Sequence, residues 1–385
     1  MKLLKKMLFI LLQLGIITQA QNINVSDYKV PVSRAKIMRL NANYNWAQTT
    51  QDDKVTVTAN TGNANLIFRT FYSSLPYAWF IDVDATGGKN FDDYNHDIRI
   101  SPSIRKYVWN QRDWFAFASA DIRHADDFNQ IESFGTVGAG YGRYINATAL
   151  AKAVRIEEHL IKENVIKGHL PKETMIEIAN IIEREDEYRG IYGATYETKW
   201  YDDIEKAIKK SGYLIGNSMG SIGILRTQQV LKGINERVND RFYGWDVITG
   251  VRFNFSSWDK NIDPADPALT IGGRFAYPVT WRTQINAYAN IYTPFNEAFS
   301  NFVLETGVDY IYELSNKINW VNGYRMTYNN PSEMDSYMVH NLSSSFLFYL
   351  ENNIYLGING ILRYNSLASS RTDLGTSISL QYNLF

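Results

Sequence analysis

The chain has 385 residues, a formal net charge of −1 and no cysteine. Near-neutral charge gives no electrostatic case for nucleic acid as a partner, and the absence of cysteine excludes disulfides and thiolate metal ligands. The 26 Tyr, 19 Phe and 9 Trp suit a protein with aromatic belts at two membrane interfaces. Nothing in the sequence predicts a cofactor or a metal site.

The first 20 residues have the pattern of an export signal. Lys2, Lys5 and Lys6 precede the short apolar run MLFILLQLGII, which is too short to span a bilayer as a helix. The small residues up to Ala20 offer a cleavage site. We therefore predict a signal peptide over 1–20, a mature start at Gln21 and a short N-terminal segment over 21–35.

Residues 36–144 alternate apolar and polar side chains with period two. In the first candidate strand, Met38, Leu40 and Tyr44 share one face, and Arg39 and Asn41 share the other. The predicted strands are 36–49, 64–74, 76–86, 96–107, 113–125 and 131–144. The polar or acidic segments 50–63, 87–95 and 126–130 are predicted to be outer loops. This part therefore forms about six strands of a barrel.

Residues 145–241 break the period of two and follow a period of about 3.6. A helical stripe runs from Ala149 to Leu160, and Pro171 opens a second helix. Third and fourth helices are predicted near 197–210 and 221–239. Charged residues on the other faces indicate ordinary amphipathic helices that pack on one another. We predict a small helical insertion.

Residues 242–385 return to the strand period. The predicted strands are 242–256, 267–278, 280–294, 299–313, 316–328, 335–349, 352–364 and 371–385. Long and tight connections largely alternate, as outer loops and periplasmic turns do. Both parts have an even strand count, so both place 145–241 on the periplasmic side. The prediction is an all-β transmembrane antiparallel barrel of about 14 strands, within a range of 12 to 16.

The final strand, TDLGTSISLQYNLF, alternates through Leu374, Ile378 and Leu384 and ends at Phe385. It resembles the C-terminal strand of bacterial outer-membrane proteins, which usually closes with an aromatic residue, although Phe385 lies one place out of register. The resemblance implies an outer-membrane location, and the strand count places the insertion in the periplasm. The expected partners are outer-membrane lipid and the barrel-assembly machinery.

The polar strand face carries charged residues of both signs, and we predict that they line the lumen. The basic candidates are Arg69, Arg99, Arg105, Arg123, Arg252, Arg274, Arg282, Arg325 and Arg363, and the acidic ones are Asp82, Asp84, Asp97, Asp121, Asp246, Glu305 and Asp309. Facing rows of opposite charge make a transverse field in an open pore. Alternatively, such charges pair and fill a closed lumen, and about 14 strands permits either.

These features predict a channel or transporter for small solutes, gated by the insertion. The alternative is a membrane-anchored scaffold whose insertion, 145–241, recruits a periplasmic envelope protein. In GAGYGRY, Gly138, Gly140 and Gly142 share one strand face and leave room for something packed inside the barrel, for which the insertion is the expected occupant.

Two enzymatic interpretations are weaker. Asp82 and Asp84 near a His-Asp pair resemble outer-membrane omptin proteases, but parity puts His124 on the lipid side. His340 with Ser343 and Ser344 resembles the nucleophile pairs of outer-membrane phospholipases, but the spacing keeps the groups apart. We therefore predict no catalytic residues.

Overall fold

The computed structural model describes residues 23–29, 33–51, 54–74, 76–108, 113–297, 300–332, 334–350, 354–366 and 371–382. Within these ranges, fourteen strands form one antiparallel sheet whose order follows the chain. The strands are β1 Ser33–Gln51, β2 Lys54–Ser73, β3 Tyr77–Asn90, β4 Asp93–Tyr107, β5 Trp114–Ala125, β6 Glu132–Asn146, β7 Phe242–Ser256, β8 Ala268–Thr280, β9 Thr283–Pro294, β10 Phe302–Ser315, β11 Ile318–Asn330, β12 Tyr337–Tyr349, β13 Ile354–Asn365 and β14 Arg371–Tyr382.

The predicted antiparallel barrel of about 14 strands is confirmed, but the outer loop predicted over 50–63 is wrong. β1 and β2 stay paired from Ser33 opposite Ser73 to Gln51 opposite Lys54. The β-branched residues in 55–58 favour extended structure. The β1–β2 hairpin therefore extends farther than the pairing of β2 with β3. The loop predicted over 87–95 is likewise mostly strand. The signal peptide and Phe385 lie outside the described residues.

The two faces of the sheet differ as the sequence predicts. The apolar face, here called outward, keeps large side chains more than a third exposed, among them Ile81, Val137, Val247, Phe275, Leu342 and Ile358. On this face Trp114, Tyr141 and Trp245 form an aromatic row, with ring centroids 5.0 and 5.7 Å apart. A continuous exposed apolar face with aromatic rows is what lipid requires. The opposite face is called inward.

Five helices lie between β6 and β7: α1 Thr148–Lys162, α2 Lys172–Glu183, α3 Glu185–Tyr192, α4 Tyr196–Lys210 and α5 Gly220–Lys232. α3 was not predicted, because its sequence reads as a charged run. α5 ends at Lys232 rather than near 239, since Gly233 takes a left-handed conformation with φ of 68°. Among the described helices, none is long and apolar enough to cross a membrane.

The insertion has its own apolar core, and the N-terminal segment belongs to it. Ile23, Val25 and Tyr28 are buried in the same cluster as the inner faces of α1, α2 and α4. Asp27 pairs with Lys172 at 2.6 Å, and Tyr243 of β7 donates a hydrogen bond to the Tyr28 carbonyl at 2.5 Å. The segment ahead of β1 therefore joins the insertion to the barrel.

Candidate functional site: the lumen and its closed end

Most inward charges pair between neighbouring strands. Arg69 on β2 pairs with Asp82 on β3. On β4 and β5, Arg99 binds Asp121 at 3.0 Å, and Asp97 accepts two hydrogen bonds from Arg123 at 3.0 and 2.8 Å. Arg325 on β11 pairs with Asp309 on β10 at 2.8 Å. These pairs lie along the wall between adjacent strands.

The exposure of the inward arginines bears on whether the lumen is open or filled. The inward side chains of Arg69, Arg99 and Arg274 are 55%, 52% and 44% exposed. Arginines packed into a solid interior would be nearly inaccessible, because a protein core leaves few voids as large as a water molecule. These three inward guanidinium groups are therefore accessible to water.

One acidic residue on β7 serves two arginines. Asp246 is 2% exposed and accepts hydrogen bonds from Arg274 at 2.9 and 2.5 Å. Arg105 of β4 reaches the same carboxylate at 3.3 Å. β5 and β6 lie between β4 and β7 in the sheet. Two guanidinium groups therefore share one carboxylate on this wall.

The glycine row of β6 makes room for aromatic rings, not for the insertion. A side chain at Gly140 would place its Cβ 2.3 Å from a ring carbon of Phe115, and at Gly138 it would lie 2.7 Å from a ring carbon of Phe117. The prediction that the helical insertion occupies this space is therefore wrong. The rings of β5 fill this space because they lie directly opposite the glycines.

The remaining predicted residues are not members of these ion pairs. Asp84 is exposed and stands opposite Arg99, and Arg363 stands opposite Asp373. Glu305 is exposed on β10. Arg252 stacks on Phe134, and Arg282 lies in the turn between β8 and β9, 3.7 Å from Glu158 of α1. That all the predicted residues line a solute path stays a prediction.

The lumen ends where the insertion joins it. Inward residues at this end are inaccessible: Gln284 and Asn319 are 0% exposed, Glu313 is 1% and Tyr349 is 5%. They lie at the ends of β9 to β12 nearest the insertion. Their burial contrasts with the half-exposed arginines farther along the same face. This end, here called the insertion end, is therefore covered.

A buried ion cluster holds α1 at the insertion end. Glu313 of β10 binds Arg155 of α1 at 2.5 Å and Arg241, just ahead of β7, at 2.7 Å. Arg155 also meets Glu236 at 3.2 Å, and His159 lies 2.7 Å from the same carboxylate. Removing one partner of a buried ion pair costs about 3–5 kcal/mol, because the other charge is left buried and unmatched.

The surroundings of Glu236 favour its charged form. Burial alone would raise the pKa of this carboxyl, but the hydrogen bond with His159 and the charge of Arg155 outweigh burial and hold the pKa below its usual value. The cluster therefore keeps a carboxylate ready for Arg155 at neutral pH.

Sequence reasoning missed this cluster, although part of it had a signal. Glu313 lies on the inward face of β10 in phase with Glu305 and Asp309, so strand parity would have found it. Arg155, Glu236 and Arg241 belong to the helical insertion and its flanking linker. Nothing in the local pattern indicates that Arg155 and Arg241 meet Glu313 on a strand, or that Glu236 meets Arg155 of α1.

The two enzymatic patterns do not assemble. His340 lies 2.8 Å from the Tyr324 hydroxyl, and Ser344 accepts a hydrogen bond from Trp320. Ser343 donates to the Gly323 carbonyl on the inward face. His96 and His124 stack on each other instead of facing Asp82, which binds Arg69.

Fourteen antiparallel strands in chain order, an exposed apolar outward face and a charged inward face define a bacterial outer-membrane β-barrel protein. Among solved structures, the CymD monoaromatic hydrocarbon channel is similar over 96% of this chain and 94% of that one, with 10% identity and a TM-score of 0.29. A similarity at that score carries no argument about cargo. No family model matches, and no curated protein matches.

Proposed function

We propose that this protein is an outer-membrane channel for small solutes whose periplasmic end is closed by the helical insertion. The observation that carries the proposal is the contrast along the inward face. The inward Arg69 of β2 and Arg99 of β4 are about half exposed, whereas Gln284, Asn319 and Glu313 under the insertion are buried. A water-accessible lumen with one covered end suits a gated channel better than a solid anchor.

The buried ion cluster supports the gating part of the proposal. α1 contacts the barrel wall through Arg155 and Glu313, so release of the insertion must separate or move that pair. In the closed state both charges are satisfied. Opening has to expose them to water, which makes the cluster a latch whose strength sets the fraction of open channels.

Planar-bilayer recording of the full-length protein beside Glu313→Gln tests this latch. The substitution leaves Arg155 and Arg241 facing a neutral amide, so the closed state loses about 3–5 kcal/mol. We expect the open fraction to rise by a hundredfold or more, since about 1.4 kcal/mol is tenfold in an equilibrium constant. Deletion of 147–239 should also raise conductance.

Glu305→Gln is the matched control. It removes the same charge from the same face of β10 at an exposed position away from the cluster, and it should leave the open fraction unchanged. Folding of each variant is checked by its faster migration on unheated gels. Folded channels with equal open fractions in all variants would show that the insertion is no gate.

The scaffold alternative has one observation in its favour. The insertion exposes Ile191 at 71% and Ile215 at 54%, with Ile222 and Leu225 partly uncovered nearby in the chain. Such residues suit contact with another envelope protein. If neither the full-length protein nor the deletion conducts although both fold, the scaffold function replaces the channel.

A further inference from the structure

We propose that Arg105, Arg274 and Arg252 form a track for small oxyanions, carboxylate or phosphate, on one wall of the lumen. The proposal rests on the proposed channel function, since it names the solute class that the channel favours. It is carried by the charge balance of this wall and by how its guanidinium groups are held.

The charge balance of this wall is positive. Arg105 and Arg274 share the single carboxylate of Asp246. Within the described ranges, Arg252 has no carboxylate partner, and its Nε donates to the amide oxygen of Asn254 at 3.3 Å. Asp246 thus pairs with two of the three guanidinium groups, and Arg252 lies six positions farther along β7, opposite Ala268. The wall keeps a positive excess that attracts anions.

The rest of the lumen contrasts with this wall. Each of Arg69, Arg99, Arg123 and Arg325 has its own aspartate. The positive excess is therefore local and not a general property of the inward face. On β6, the strand paired with β7, the inward Glu132 stands opposite Arg123, and Glu305 of β10 is exposed.

Aromatic rings fix the arginines of this wall in position. The guanidinium carbon of Arg252 lies 3.5 Å from the ring centroid of Phe134 and 5.6 Å from that of Tyr292. The guanidinium carbon of Arg105 lies 4.3 Å from the ring centroid of Phe115. The guanidinium carbon of Arg274 lies 4.5 Å from the ring centroid of Tyr144.

Stacking occupies the flat face of a guanidinium and leaves the N–H groups at its edge. That edge matches two oxygens of a carboxylate or phosphate. The stacked partner also reduces the number of orientations that must be lost when an anion binds. Arg252 is the best placed of the three, because its charge is not already neutralised by an aspartate.

Reversal potentials in a potassium chloride gradient test the charge balance. The wild-type channel should prefer chloride. Arg252→Gln should lower the chloride-to-potassium permeability ratio by about twofold or more, and Glu305→Gln should raise it by a similar factor. Lys260→Gln, which removes one positive charge from the exposed loop 257–267, should change it less than either.

Block of the chloride current tests binding at Arg252. The probes are benzoate, inorganic phosphate and the uncharged benzyl alcohol. Block by benzoate alone assigns carboxylates, block by phosphate alone assigns phosphate, and block by both assigns either oxyanion. Arg252→Lys should keep the chloride preference but lose at least about tenfold in blocking affinity, because a lysine ammonium cannot make the two-pronged contact.

The outcomes separate this inference from the channel function. A conducting channel that prefers potassium, that does not change with Arg252→Gln or that neither oxyanion blocks overturns the track and leaves the channel standing. Block by benzyl alcohol as strong as that by benzoate also overturns it. If the full-length protein and the deletion of 147–239 both fold and neither conducts, the channel itself is refuted.

Discussion

At the residue scale, the packing of the wall between β5 and β7 requires residues of β6 that have no side chain. Gly140 lies under Phe115, which is only 1% exposed. The glycine row could be found from the sequence, because parity puts its members on one face. What fills the space could not, since it depends on which residues of β5 come into register opposite them.

Replacing Gly140 by alanine tests this packing. The new methyl group would lie 2.3 Å from a ring carbon of Phe115 and 2.7 Å from the Val247 carbonyl oxygen. Backbone on one side and a buried ring on the other leave little room to relax, so we expect a loss of about 1–3 kcal/mol. The free energy of unfolding in urea, measured in lipid or detergent, gives the change.

Gly375→Ala is the matched control in the same sheet. A Cβ there meets no atom within 4 Å, so alanine should leave the free energy of unfolding nearly unchanged. Equal effects at the two positions would mean that the loss at Gly140 reflects strand propensity and not packing against Phe115.

At the element scale, the sequence predicts strands well and their contacts with helices poorly. β7 begins and ends where the alternation does, at Phe242 and Ser256, because period two is a local property of the chain. The docking of α1 is different. It depends on the contact of Arg155 with Glu313, and 158 positions separate these two residues. A local sequence pattern therefore cannot predict that contact.

The docking of α1 should weaken in acid. The pKa of Glu236 is lower in the folded protein than its usual value. Its contribution is therefore present at pH values above the ordinary carboxyl pKa and is lost as the pH falls through the lowered, folded value. Hydrogen exchange of the α1 amides between about pH 6 and pH 3, compared between wild type and Glu236→Gln, should show a difference that shrinks towards the acid end.

A pH-independent difference between those two proteins would contradict this account of Glu236. Glu177→Gln supplies the control, because Glu177 is an exposed residue of α2 that pairs with Lys210 at 3.6 Å. Exposed pairs contribute little to stability, so this variant should exchange like the wild type throughout.

At the scale of the whole molecule, the strand count sets the sidedness. Even numbers of strands before and after the insertion place the helices at one end of the barrel and the β7–β8 loop at the other. Cysteine at Asp263, exposed in that loop, should react with an impermeant maleimide in intact cells. Cysteine at Lys209, exposed on α4, should react only after the outer membrane is opened.

The chain has no native cysteine, so the unsubstituted protein is the blank for both sites. Labelling of Lys209→Cys in intact cells would reverse the proposed orientation. Failure of Asp263→Cys to label in intact cells, with labelling after lysis, would do the same.

The burial of Ile23, Val25 and Tyr28 inside the insertion gives the chain an order of assembly. These residues precede β1, yet they share a core with α2, whose Lys172 lies 145 positions after its partner Asp27. A polypeptide delivered from its N-terminus has to hold this apolar segment unpaired while six strands and the first helices follow. The core of the insertion is therefore complete only when the residues ahead of β1 have returned to it.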